Sequence, residues 1–137
     1  MAVGQEKMDT KNESLIKAMG ALGGGIAGSG RVCGALLGGV AFISSLYSRG
    51  NLEEKENPRM WRLGAALNKK FEELTSPFGG VNCADIAGVD WSDREQVKAF
   101  YSNSTGRLQH CLQLVEDTAV ALGEILDQQA PPFPNAP

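Results

Sequence analysis

The stretch "GGGIAGSGRVCGALLGG", residues 23–39, places eight glycines and one cysteine in seventeen positions. An α-helix does not cross 23–30 cheaply, because each interior glycine costs ~1 kcal/mol relative to alanine. From Gly30 or Arg31 onward, "RVCGALLGGVAFISSLYSRG" reads as a largely buried helix that Gly50 stops in the left-handed conformation. Gly34, Gly38 and Ala41 recur on this helix at helical spacing and would let another helix approach closely. The stretch therefore predicts a glycine-built turn that delivers Cys33 into the first turn of a core helix.

Two other readings of the glycines fail. A dinucleotide fingerprint needs G-x-G-x-x-G after a strand, whereas "GSGRVCG" has one residue too many and no strand before it. A phosphate-binding loop of the Walker type needs Gly-Lys-Ser or Gly-Lys-Thr, which is absent. A simpler anion- or cofactor-binding role is open to the backbone around Gly28, Gly30 and Gly34, with Arg31 beside it, as N–H groups at a helix start attract negative charge. The longest apolar run, Val32 to Tyr47, falls short of the ~20 residues of a membrane span, so an integral membrane protein is not expected.

Helical signals continue in both directions. Thr10 or Asn12 can cap a short helix carrying Leu15, Ile16 and Met19. Asn57-Pro58 opens an amphipathic helix over about 58–75, with Met60, Leu63, Gly64, Leu67, Phe71 and Leu74 at three- and four-residue steps, and "SPFGG" ends it. "VNCADIAG" suggests one or two helical turns with Asn82 and Asp85 as a capping box and Cys83 as the first helical residue. Ser92 and Glu95 form a second such box. The last helix carries the apolar stripe Leu108, Cys111, Leu112, Val115, Thr118, Ala119, Leu122, Ile125 and Leu126. No useful strand alternation appears. The expectation is an all-α, single-domain bundle of four to five helices over 1–128, followed by a proline-rich flexible tail over 129–137.

Composition supports a compact helical domain and narrows its partners. With 137 residues, 42% hydrophobic and 21% charged, the chain can bury a core. A net charge of −3 with scattered Lys and Arg argues against nucleic acid. The polar start "MAVGQEKMDTKNES" lacks a secretory signal pattern, so the expected location is cytoplasmic.

Three cysteines, Cys33, Cys83 and Cys111, carry the candidate chemistry. A thiol reacts as its thiolate, which helix N-termini favour, and Cys33 and Cys83 both fall at predicted helix starts. Cys111 lies on the apolar stripe of the last helix. His110 is the only histidine and points ~100° away from Cys111 around a helix, which makes a Cys–His pair depend on another element. Close C-x2-4-C pairs typical of structural zinc are absent, although Cys33, Cys83 and Cys111, with His110, remain the ligand set if a metal binds. Asp85, Asp90, Asp93 and Glu95 are explained as caps and first-turn charges rather than an acid–base pair.

Cys33-Gly34-Ala35-Leu36-Leu37-Gly38, the glycine-rich lead-in, Cys83 after Asn82, and Cys111 on the last helix together resemble the C-GCAxxG-C-C family. The resemblance spans roughly 14–127. It implies a redox role inferred from the family's cysteines, with Cys33, Cys83 and Cys111 matching the second, third and fourth of them. No cysteine precedes Cys33, so the family's first has no counterpart in this sequence. The leading expectation is thus a thiol/disulfide or electron-handling protein acting on an unidentified redox partner or small thiol. Metal or cofactor binding by the same cysteines is the alternative, with an iron–sulfur centre the lesser expectation and no cofactor assigned. A non-catalytic interaction module is the third, in which the Gly34, Gly38 and Ala41 surface packs two copies as a homodimer.

Overall fold

The computed structural model describes residues 1–129, and the tail expected beyond them lies outside the described residues. Within them the chain is all-α: α1 (Ala2–Lys7), α2 (Glu13–Ala18), α3 (Gly34–Tyr47), α4 (Arg59–Thr75), α5 (Cys83–Ala87), α6 (Arg94–Tyr101) and α7 (Arg107–Gln129). Seven helices replace the expected four to five. The polar N-terminus forms α1, which packs on α7, and Gly106 at φ +71° separates α6 from α7.

Helices α3, α4 and α7 form the central bundle. Its core joins Leu36, Phe42 and Ile43 of α3 to Leu63, Leu67 and Phe71 of α4 and Leu114, Leu122 and Leu126 of α7, with Ile86 of α5 added. Removing such a side chain, as in Leu67→Ala, costs about 2–5 kcal/mol because the cavity collapses only in part. Ala87, Val89 and Phe100 form a second, smaller cluster with Trp91, Val97 and Leu108 around them. Two buried threonines remain inside without a partner helix, since Thr75 and Thr118 donate their hydroxyls to Phe71 O and Leu114 O one turn back.

Several local expectations move. α3 starts at Gly34, not at Gly30 or Arg31, with Cys33 as its N-cap. It ends at Ser48 in extended conformation, so Gly50 is no left-handed cap. The close helix approach falls at Gly39, where a Cβ would lie 2.7 Å from Leu67 Cδ2, while one on Gly38 would meet only the Met1 amine at 3.9 Å. Asp93, not Ser92, caps α6 by accepting from the Glu95 and Gln96 amides, because Ser92 Oγ is engaged with Asp90. Asn82 occupies the N-cap of α5 without a side-chain capping bond. On α7 the inward face runs through Leu114, Thr118, Ala121, Leu122 and Leu126, whereas Leu112 and Val115 face solvent.

The glycine-rich stretch is more unusual than a loose turn. Gly24, Gly25, Ile26, Ala27 and Gly28 have φ between +53° and +72°, five successive residues in the left-handed region. Backbone bonds hold the turn together: Ile26 N to Leu22 O, Ala27 N to Ala21 O, Gly28 N to Gly23 O, Gly30 N to Gly24 O and Arg31 N to Gly25 O. Left-handed backbone costs an L-residue about 1–2 kcal/mol and glycine almost nothing, so three glycines remove most of the strain. Ile26 and Ala27 retain it. At Gly25 glycine is also required by space, since a Cβ would collide with the Arg31 carbonyl and come within 2.7 Å of Cys83 Cβ.

Two substitutions should separate these effects. Gly25→Ala is expected to lose about 2–4 kcal/mol in urea unfolding, from clash plus backbone strain. Ala27→Gly should gain about 0.5–1 kcal/mol, because relief of left-handed strain outweighs the added freedom of the unfolded chain. Ala27 is exposed, so no packing is lost there.

Candidate functional site: three thiols around a one-pair ribbon

Beyond the left-handed turn and Gly30, itself at φ +72°, Arg31–Cys33 runs beside Val81–Cys83. Val32 and Asn82 form an antiparallel bridge. Cys33 N donates to Val81 O (2.9 Å), Cys83 N to Arg31 O (2.7 Å), and Ala84 N to Gly30 O (3.0 Å). Side chains alternate across such a ribbon, so Cys33 and Cys83, each one residue beyond the bridged pair, fall on the same face. They are diagonal neighbours. One residue further on, each chain turns into a helix: Cys33 caps α3 and Cys83 opens α5.

Cys111 arrives from α7, where it packs against both the main core and the smaller cluster. All three thiols are free and half-buried. They are electrostatically coupled, because charge on Cys33 opposes ionisation of Cys83 and Cys111, and charge on Cys111 opposes that of Cys83. The fold therefore brings the three sequence-predicted cysteines into one region. Among the described residues, however, no group of three His, Cys, Asp or Glu side chains is gathered as a metal-ligand set.

The expectation that helix starts activate the thiols is corrected. Burial pushes the Cys33 thiol above its ordinary value, although the Ala35 and Leu36 amides at the head of α3 pull the other way. Burial raises Cys83 most, to about 11, with the Cys33 and Cys111 charges adding to it. Burial and Cys33 also raise Cys111, against the nearby Arg107. Desolvation of the charged form outweighs the amides of a helix start, and α5, at five residues, contributes few of them. Cys33 alone has backbone donors directed at its thiolate.

Of the remaining candidates, Gly30, Arg31 and Gly34 belong to the backbone beside the thiols, and His110 lies at the surface of α7. His110 is exposed and sets its ring 6.0 Å from that of Phe78. The amides of Gly28, Gly30 and Arg31 donate inward to Gly23, Gly24 and Gly25 carbonyls. Gly34 lies tight against the Leu22 carbonyl, 2.7 Å from where a Cβ would stand.

Two residues join the site without having been singled out in the sequence. Arg107 starts α7 one turn before Cys111 and stands over Gly88 at the end of α5. Trp91 lies against Gly24 and Gly30 of the left-handed turn, edge-on to Phe100 at 5.4 Å, and its indole N–H bears on Cys83. That N–H is buried without a hydrogen-bond partner among the described residues. The cost of such a group is about 1–3 kcal/mol. Trp91 also forms one wall of an open cleft of about 520 Å³ whose other sides include Ser29, Ala84, Asp85 and Asp90. Neither residue is marked by spacing or motif. An aromatic or arginine at a helix boundary is common, and only the fold aims these two at sulfur.

A comparison with known families decides the relationship. The family described as "Putative redox-active protein (C_GCAxxG_C_C)" matches residues 1–125. The chain belongs to this family. A relative from Archaeoglobus fulgidus (strain ATCC 49558 / DSM 4304 / JCM 9628 / NBRC 100126 / VC-16), described as "Uncharacterized protein", is 35% identical over 83 residues, covering 55% of this chain and 52% of the relative. This chain thus spans about half the length of that relative. No solved structure matches it. No helix among the described residues is long and apolar enough to cross a membrane.

The raised thiols make stability fall at alkaline pH. An unfolded Cys83 ionises near 9.0 and the folded one near 11, so below pH 9 both states are protonated and the contribution is complete. Between 9 and 11 the unfolded state loses its proton first and stability declines. Thermal melts from pH 7 to 11 should show this decline, and Cys83→Ala should flatten it.

Proposed function

We propose that this family member acts as a thiol–disulfide redox protein in which Cys33 attacks and Cys83 resolves, with Cys111 as a third thiol in electrostatic contact. The observation that carries this reading is the Val32–Asn82 bridge, whose two flanking hydrogen bonds fix Cys33 and Cys83 on one face of the ribbon. Cys33 is assigned the attack because the Ala35 and Leu36 amides favour its thiolate. The substrate class is a small or peptide disulfide, R–S–S–R.

The Cys33 thiolate attacks one substrate sulfur. A Cys33–S–S–R bond forms, the substrate S–S bond breaks, and RS⁻ leaves with the electron pair to take a proton from water. Cys83, its proton lost to solvent, then attacks the Cys33 sulfur and expels the second RS⁻. The protein dithiol is oxidised to a disulfide and R–S–S–R is reduced to two thiols; the reverse sequence oxidises a dithiol partner. In a regular ribbon, diagonal neighbours stand about 7–8 Å apart between Cα atoms, and a disulfide spans ~4.4–6.8 Å. Closure therefore calls for a small approach of the α5 start toward the α3 start. Metal binding by the same thiols is less well supported, because they are not gathered as a ligand set.

Brief exposure to oxidised glutathione, then alkylation and peptide mapping, tests the assignment. The expected product is a Cys33–Cys83 disulfide that survives Cys111→Ala. Cys33→Ser should abolish the glutathione mixed disulfide as well. Full alkylation of all three thiols after oxidant treatment would overturn the reading.

A further inference from the structure

Trp91 raises a question that the redox chemistry alone does not answer. Its indole N–H is buried and has no acceptor among the described residues. A neutral cysteine sulfur is a weak acceptor, but a thiolate is a strong one. The ring lies against the glycine turn at Gly24 and Gly30 and packs edge-to-face with Phe100 at 5.4 Å. It cannot turn its N–H toward water without leaving those contacts. The donor is therefore held toward Cys83 whether or not it is satisfied.

We propose that Trp91 is a positioning residue for Cys83, holding an indole N–H ready for the sulfur at the moments when that sulfur carries negative charge. The proposal rests on the redox reading for its purpose. In the resolving step Cys33 is a mixed disulfide without charge, and Cys83 must become a thiolate against its own burial and beside Cys111 on α7. A preset donor replaces the water that burial removes and costs no reorganisation when the charge appears. In the reverse direction the same N–H receives the charge on Cys83 as the leaving sulfur. The indole also forms part of the wall of the open cleft.

The test uses the full chain with Cys33→Ser, Cys111→Ala and Trp61→Phe, leaving Cys83 as the single thiol and Trp91 as the single tryptophan. The indole ¹H–¹⁵N resonance should shift with pH at the same midpoint as the thiolate absorbance of Cys83, and should stay flat when Cys83→Ala is added. Adding Trp91→Phe, which keeps a ring and removes the N–H, should raise the Cys83 midpoint and slow its iodoacetamide reaction at pH 9.5 by about three- to tenfold. A flat indole resonance through the Cys83 titration overturns the proposal. So does an unchanged Cys83 midpoint in the phenylalanine variant. If that variant does not unfold cooperatively, the resonance titration of the Trp91 chain decides alone. No oxidant enters this experiment, so its failure is distinct from failure of the disulfide mapping, which tests the redox reading itself.

Discussion

The site depends on a run of left-handed backbone. Five successive positive φ values from Gly24 to Gly28 reverse the chain, with no room for a side chain at Gly25, and the reversal sets Arg31–Cys33 beside Val81–Cys83. Right-handed turns need no glycine; this one does, at three of its five positions. Everything that follows, from the one-pair bridge to the shared face of Cys33 and Cys83 and the seat of the Trp91 indole, is placed by that reversal. Membership in a redox-active family gives the arrangement its context, and the ribbon gives that context a geometry.

The site also shows how two local influences on a thiol compete. Helix starts offer amides, and burial withholds water. At Cys33 the Ala35 and Leu36 amides act on the thiolate, yet burial still prevails. At Cys83 the helix is short and two neighbouring thiols add their charge, so the sulfur is held protonated more firmly. A thiol held protonated reacts more slowly with oxidants and alkylating agents, because the thiolate is the attacking form.

Much of this was legible in the sequence. The α4 stripe of Leu63, Leu67 and Phe71 and the Asn12 cap of α2 follow from spacing and chemistry that act within one or two turns. The three cysteines were found because a motif marks the first and the same resemblance orders the others. What escaped was non-local. Glycine spacing alone could not tell that Gly39, not Gly38, meets Leu67, since that depends on how α4 is rotated. The α7 stripe was drawn through Leu112 and Val115 because apolar residues surround the helix, and only the neighbouring elements select Leu114 and Ala121. The bridge of Val32 to Asn82 joins segments separated by all of α3 and all of α4, and no local signal announces it.

That separation bears on how the molecule comes into being. Contacts between distant segments form late, after the loops they close have already lost their freedom. The α3–α4 hairpin joins neighbouring segments, whereas the ribbon closes a loop of some fifty residues around it. During synthesis, then, Cys33 emerges and waits unpaired while some fifty further residues follow. Its sulfur has no Cys83 to meet until the segment that carries the second thiol has been made.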